Sequence, residues 1–415
     1  MTQSDLGFKY AALEADPQVV ERARVVAVRL AERAQAADQA RELPSESFRD
    51  LHEAGLLTMS IPSELGGTEA NLVTQLSVYE TLAAACASTS WCLSNHTIVC
   101  ERIQALSKEV SGSYIQAIVE EGAVLAQGVL PVGGTRPVSD GFVSSGRWPF
   151  VSGSNHARWA VLNTTIPGPP PNWQPADGTS DPPSTHVRQL IVGLGESGVH
   201  IEKTWQAMSL RASMSNDVVL DEVFVPEEKA LFVRPPLPGA PWDPNVTPAL
   251  LVPARLGVGS MGLALGVAKA ALRETIEYAG ISMTSMGGVP RSRMPGDQFA
   301  LADAAMLIEA GRAFLFQEAR AIVAKAAKGE SFSEADFIRM IMAGLVAREN
   351  AQKAVDRLFT IRGAHGLYET SNFERYYRDV RMVTLVAPTA PDLTREQIGK
   401  HFFGVAANAR PRWGG

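Results

Sequence analysis

Hydrophobic spacing changes twice along this chain, from a helical period to a strand period and back. That order limits the possible folds more tightly than any single motif does. From residue 15 to about residue 125, apolar residues recur every three or four positions. In DPQVVERARVVAVRLAERAQAADQA they place Val19, Ala23, Val26 and Leu30 on one helical face. IPSELGG interrupts the pattern, because Pro62 restricts the residue before it and the glycine pair permits a turn. Residues 72–103 then read as one long helix rich in alanine and small polar residues.

The period changes to two from about residue 123 to residue 235. Strand-like runs cover residues 123–127, 141–145, 159–163, 187–194 and 217–224, with GGTRPVSDG and GPPPNWQPADGTSDPP as turn-forming separators. No long amphipathic helix alternates with these strands, which argues against a βαβ repeat. After PPLPGAPWDPNVTP, helical runs return over residues 249–278, 299–328, 334–360 and 394–407, long enough for a bundle. The class is α+β and multidomain, with expected domains at 1–125 (helical), 126–240 (β) and 241–415 (helical bundle).

Composition excludes several functions. Acidic residues outnumber basic ones by 44 to 38, for a net charge of -6, and no basic stripe offers a nucleic-acid surface. No apolar run reaches membrane-spanning length, and the first residues do not read as a signal peptide. The three cysteines, Cys86, Cys92 and Cys100, lack CxxC spacing and fit a reducing compartment. A cytoplasmic protein is expected. The seven histidines form neither HExxH nor another compact ligand set, so no metal is expected. GVGSMG fits the dinucleotide pattern GxGxxG at Gly257, Gly259 and Gly262. It lies within a helical run, where the strand-to-helix turn that the pattern requires is missing. Close helix packing explains it better.

Four blocks in a fixed order carry a resemblance. HEAGLLTMSIPSELGG, GRWPFVSGSNHARWAVLN, WQAMSLRASMSNDVVLDEVFVP and NFERYYRDVR together resemble the acyl-CoA dehydrogenase superfamily. They are most similar to its branch of reduced-flavin-dependent two-component monooxygenases, which holds phenol hydroxylase oxygenase components, sulfoxidising enzymes and amine N-oxygenases. The resemblance runs from about residue 15 to about residue 405. It implies an N-terminal helical domain, a central β-barrel-like domain and a C-terminal four-helix bundle, assembled as a homotetramer.

In acyl-CoA dehydrogenases a catalytic glutamate often follows the R-x-x-RD block. Here RYYRDVR is followed by MVTLVAPTAPD, with no carboxylate before Asp392, and Glu369 in YET precedes the block. α-Proton abstraction requires a base within reach of the substrate, so the resemblance favours oxygenation. An FAD-dependent acyl-CoA dehydrogenase and a non-catalytic scaffold are the competing readings. The favoured one implies FMN or FAD reduced by a separate NAD(P)H flavin reductase. Oxygen would then form a C4a-(hydro)peroxyflavin that oxygenates a small aromatic, heteroaromatic or amine substrate.

The resemblance assigns residues to these tasks. Ser152 in FVSG maps to a serine near flavin N5; its other reading is a turn hydroxyl. Trp148 and Phe150 precede it at two-residue intervals, so in a strand all three share a face that would wall the isoalloxazine. Trp148 also reads as ordinary core. His96 maps to a histidine near the reacting end of the flavin, where it would exchange a proton, against a buried structural role. His156 and His365 would approach the pocket or hold a strand end and a surface loop.

A second histidine expected near Val386 is absent, and a serine expected at residues 128–130 is replaced. Both absences weaken phenol hydroxylation and leave room for N-oxygenation or for another apolar aromatic substrate. WQAMSLRASMS resembles WxxxGxRGTGS, with Ser209, Ala212 and Met214 at its glycine positions. Arg211 is retained and Ser213 keeps a hydroxyl where the block has threonine, as flavin contacts or as parts of a salt bridge and a turn. Arg291 and Arg293 in GGVPRSRMPGDQF would grip the flavin phosphate across a subunit boundary, or stand as solvated loop charges. Arg378 and Asp379 read as a structural ion-pairing unit.

Overall fold

The computed structural model describes residues 15–104, 106–169, 184–232, 258–284, 288–328, 330, 333–385 and 390–405. Among them, five helices precede the strands: α1 (Pro17–Ala40), α2 (Ser45–Glu53), α3 (Leu72–Ala83), α4 (Ala87–Ile103) and α5 (Lys108–Glu121). The Asp16 carboxylate caps α1 by accepting from the Gln18 and Val19 amides, with Pro17 in the first turn. Val19, Ala23, Val26 and Leu30 all lie on the buried face of α1, as their spacing predicts. The single helix expected over residues 72–103 is two, because Cys86 adopts extended backbone (φ -145°) between α3 and α4.

The strands are β1 (Val124–Val132), β2 (Thr135–Val138), β3 (Gly141–Val151), β4 (Ala157–Pro167), β5 (Thr185–Gly193), β6 (Val199–Glu202), β7 (Asn216–Pro226) and β8 (Ala230–Phe232). The segment GGTRPVSDG, expected to be a turn, contains β2, which pairs antiparallel with β3 from Thr135 opposite Ser144 to Val138 opposite Gly141.

The expected β-barrel does not form. The strands make two open four-stranded sheets, in the orders β1-β4-β5-β8 and β2-β3-β7-β6. Closure requires each edge strand to find a neighbour, but β6 and β2 have four residues each and β8 has three. Bulges in the β3–β7 ladder, in β7 opposite Ser144–Gly146 and in β3 between Trp148 and Val151, further bend it. The sheets instead stack face to face. Ala126, Leu162, Leu190 and Val192 from one sheet meet Trp148, Val218, Leu220 and Val225 from the other in a shared core.

Five further helices follow among the described residues: α6 (Val258–Ile281), α7 (Pro295–Ala327), α8 (Glu334–Arg362), α9 (Asn372–Leu385) and α10 (Pro391–Phe402). Ser333 and Asp336 form a reciprocal capping box that starts α8. One core joins α1, α3 and α4 to α6, α7 and α8 through Leu30, Leu76, Leu93, Leu265, Leu315 and Ala343. The first and last helical regions thus share one core. Gly259 and Gly262 sit inside α6, while Gly257 lies outside the described residues. A Cβ on Gly259 would fall 2.1 Å from the Ser94 Cβ on α4, so this glycine permits helix contact. No described helix is long and apolar enough to cross a membrane.

Candidate functional site

The end of β3 and the chain leading into β7 are stitched together. The Gly153 amide donates to the Ser213 carbonyl (2.8 Å), and the Ser154 hydroxyl donates to the Met214 carbonyl (3.0 Å). Leu210 and Met214 flank the short 3₁₀ turn Arg211–Ser213 with left-handed φ of 47° and 48°. Met214 stands where the family block has glycine, and its φ shows why glycine suits that place. Here the buried Met214 side chain packs into the helical core instead.

Three hydroxyls line this seam. Ser152 Oγ lies 2.7 Å from Ser215 Oγ, which lies 2.8 Å from Ser213 Oγ. The indole of Trp91, on α4, donates to Ser152 Oγ at 2.8 Å. A polar row continues along α4. Asn95 Nδ2 donates to the Trp91 carbonyl, Gln127 Nε2 to Asn95 Oδ1, and Arg102 to Gln127 Oε1, at 2.8–2.9 Å. Burial pushes the Arg102 pKa down to about 10, so this guanidinium is still charged at neutral pH. Sequence reasoning missed Trp91, Asn95, Gln127 and Ser215. Trp91 and Asn95 stand one helical turn apart beside a histidine already singled out, but that spacing does not mark either as part of a polar row.

Trp148, Phe150 and Ser152 do not share a face. The bulge between Trp148 and Val151 breaks the alternation, and Phe150 adopts a left-handed φ of 62°. Trp148 is enclosed between the sheets and donates its indole N–H to the Asn163 carbonyl (2.6 Å). Phe150 turns outward, 59% exposed, with Trp205 edge-on at 6.2 Å. An exposed aromatic ring held in a strained backbone conformation is the arrangement expected of a ligand wall. The buried Ser152 lies two residues further on.

His96 has both ring nitrogens engaged. Nδ1 accepts from the Leu125 amide (3.0 Å), which leaves Nε2 protonated to donate to the Leu57 carbonyl (2.8 Å). Cys100 Sγ lies 3.3 Å from the same Nε2. The ring is fully buried, and burial pushes its pKa down to about 4, so it is neutral at physiological pH. It joins α4 to β1 and to the loop after α2. His156 is placed similarly: Nε2 lies 2.8 Å from the Leu43 carbonyl, and the ring packs on Phe48.

The arginines divide. Arg211 lies 3.5 Å from Asp38 and 3.8 Å from Glu369, beside the hydroxyl seam. Arg291 pairs with Asp297 (3.1 Å) and lies over the Tyr278 ring, and His365 also packs near that ring. Arg291 and His365 are therefore neighbours around Tyr278, while Arg293 and His365 are exposed. Val386 lies outside the described residues. Arg211 Nε and Arg291 Nε are both buried and have no hydrogen-bond partner among the described residues. An outward aromatic ring, a hydroxyl seam and arginine N–H donors suit the faces, ring edge and phosphate of a flavin.

The N-terminal domain model of acyl-CoA dehydrogenases matches residues 18–120, and the C-terminal domain model of the same enzymes matches residues 258–389. Together they span more than half of the chain. The chain belongs to the acyl-CoA dehydrogenase superfamily. Within it, the chain is 25% identical to the oxygenase subunit HsaA of a flavin-dependent monooxygenase from Rhodococcus jostii, over 91% of this chain and 96% of that one. It shares its fold with XiaF from a Streptomyces species, solved with FADH2 and glycerol (TM-score 0.80, 22% identity, 94% and 96% of the two chains). It also shares it with TdsC from a Paenibacillus species, solved with FMN and indole (TM-score 0.77, 19% identity, 94% and 98%). The superfamily's helical parts are those that the two models match, and the paired sheets lie between them.

Proposed function

We propose that this chain is the oxygenase component of a two-component flavin monooxygenase. It takes FMN or FAD reduced by a separate NAD(P)H flavin reductase, and transfers one atom of O2 to a small aromatic, heteroaromatic or amine substrate. The other oxygen atom leaves as water, and the flavin returns oxidised. The observation that carries this reading is the seam where outward-turned Phe150 stands two residues from the buried Ser152 hydroxyl. Near-full-length similarity to a monooxygenase oxygenase subunit supports it, as do relatives solved with FADH2 and with FMN.

Bound reduced flavin supplies the two electrons that activate oxygen. Phe150 would cover the ring, Ser152 would meet its N5 edge, and Arg211 and Arg291 would direct N–H donors to its phosphate. Arg291 and the exposed Arg293 lie on one short segment, which would reach the phosphate from a neighbouring subunit. The buried partners of Ser152 keep water from that edge. His96 acts as a positioning residue, because its ring nitrogens are committed to backbone groups. With no second imidazole near Val386 in the sequence, a nitrogen nucleophile or an apolar aromatic ring suits the site better than a phenol, which must lose a proton.

We also read the chain as a cytoplasmic homotetramer. Exposed Phe299 and Met306 on α7 and Phe402 and Phe403 at the end of α10 support subunit contacts, and three buried free cysteines suit a reducing compartment. The test supplies the purified protein with a reductase, NADH, FMN or FAD, and O2, and screens indole and aromatic amines for oxygenated product. Bleaching of bound oxidised FAD by acyl-CoA without a reductase would instead establish the dehydrogenase reading.

A further inference from the structure

We propose that Trp91 is a positioning residue that locks the Ser152 hydroxyl against the flavin ring edge and leaves it able both to donate and to accept. This rests on the reading above that Ser152 faces the flavin. The indole N–H is a donor only, so the Trp91–Ser152 contact always occupies one acceptor site of the Ser152 oxygen. One proton and one lone pair remain on that oxygen, and Ser215 takes one of them at 2.7 Å. Either atom of that pair is a competent donor, and so is either atom of the Ser213–Ser215 pair at 2.8 Å. The row therefore has two directions.

When protons run from Ser213 through Ser215 to Ser152, the Ser152 proton is free for an outside acceptor. When they run the other way, Ser152 keeps a lone pair for an outside donor. N5 of an oxidised flavin is an acceptor, whereas N5–H of a reduced flavin is a donor. One hydroxyl thus matches both redox states without moving its heavy atom. Without the indole, Ser152 would be free to leave its rotamer and take both hydrogen bonds inside the seam. Trp91 is itself fixed: it is almost fully buried, and its carbonyl accepts from Ser94 Oγ and Asn95 Nδ2. The site therefore presents a preset hydroxyl rather than an adaptable one.

The test compares wild type, Trp91→Phe, Ser152→Ala and the double variant as full-length proteins. Phenylalanine keeps the ring packing and removes only the N–H. Two readouts are taken: the absorbance spectrum of bound oxidised FMN or FAD, and the hydrogen peroxide released per reduced flavin consumed in the presence of the indole or aromatic amine that the wild type oxygenates. W91F is expected to shift the spectrum and raise peroxide release to the levels of S152A, with the double variant no worse than S152A. A W91F protein with the wild-type spectrum and peroxide yield would overturn the proposal, as would effects of W91F and S152A that simply add. If S152A itself matches wild type in both readouts while flavin still binds, the placement of Ser152 at the flavin fails instead. An unchanged thermal midpoint in W91F separates positioning from a general packing defect.

Discussion

Arg378 on α9 reaches Asp38 on α1 at 2.8 Å across 340 residues of chain, with both side chains almost fully buried. The same guanidinium pairs with Glu374 and donates to the Met208 carbonyl, and the same carboxylate lies 3.5 Å from Arg211. Asp38 thus ties the first helix and the C-terminal bundle to the turn that carries the hydroxyl seam. Without Asp38 the Arg378 guanidinium keeps Glu374, so the cost falls below the about 3–5 kcal/mol of a fully stranded buried charge. Asp38→Ala should lower the denaturant midpoint accordingly and weaken flavin binding along with it. A midpoint equal to wild type would remove Asp38 from this role.

His96 makes a prediction about pH. Its folded pKa is pushed down to about 4 by burial, while an unfolded imidazole titrates near 6.5. Between those values the unfolded chain binds a proton that the folded chain does not. The contribution is therefore complete above pH 6.5, falls as pH drops toward 4, and levels off below. At about 1.4 kcal/mol per pH unit the loss across this window is roughly 3 kcal/mol. Denaturant titrations of wild type and His96→Gln at pH 7.5 and pH 5 should show a steeper loss in wild type. Equal losses would mean that the ring is not held neutral. The rate profile of the wild-type enzyme should carry no limb from His96 between pH 6 and 8.

Phe150 sets stability against binding. A phenylalanine at φ 62° carries about 1 kcal/mol of backbone strain that glycine does not. Because the ring is more than half exposed, its removal sacrifices little burial. Phe150→Gly should raise the thermal midpoint slightly while weakening flavin affinity by up to about tenfold through lost stacking. Equilibrium dialysis with FMN and FAD measures the second effect. Unchanged affinity would leave the outward ring without a role at the flavin.

Arg291 is separable from the ring-binding residues by the ligand chosen. FMN and riboflavin share the isoalloxazine and differ in the phosphate. Arg291→Gln should cut FMN affinity about tenfold, the worth of a charge-assisted hydrogen bond, and leave riboflavin unchanged. Equal losses for both ligands would assign Arg291 to packing over Tyr278 instead. Repeating the measurement with FAD tests whether the same arginine serves the longer cofactor.

Sequence patterning made the order of elements legible because burial imposes period 3.6 on α1 and period 2 on strands such as β4. It did not reveal sheet closure, since pairing between strand edges depends on the three- and four-residue lengths of β8, β2 and β6, which carry almost no periodic signal. The block FVSG pointed to Ser152, but alternation misplaced Phe150 because one bulge reverses every later side chain. Trp91 was unreadable for a different reason. Its partner is 61 residues away, and nothing local in ASTSWCLSNH distinguishes an indole that donates to a serine from one that only fills core.

The declined dinucleotide motif can be tested by exchanging a methyl group across a helix contact. A Cβ on Gly259 would sit 2.1 Å from the Ser94 Cβ, so Gly259→Ala forces α6 away from α4 and should cost about 1–3 kcal/mol. Ser94→Gly removes the opposing atom. In the double variant the alanine at 259 gains about 1 kcal/mol of helix propensity, more than the roughly 0.5 kcal/mol that Ser94→Gly gives up. The S94G/G259A protein should therefore recover most of the lost midpoint, and flavin affinity should return with it. A glycine that cradled phosphate would behave otherwise: G259A would lower FMN affinity at constant stability, and S94G would restore nothing. The sign of that coupling decides whether GVGSMG is a packing surface or a cofactor loop.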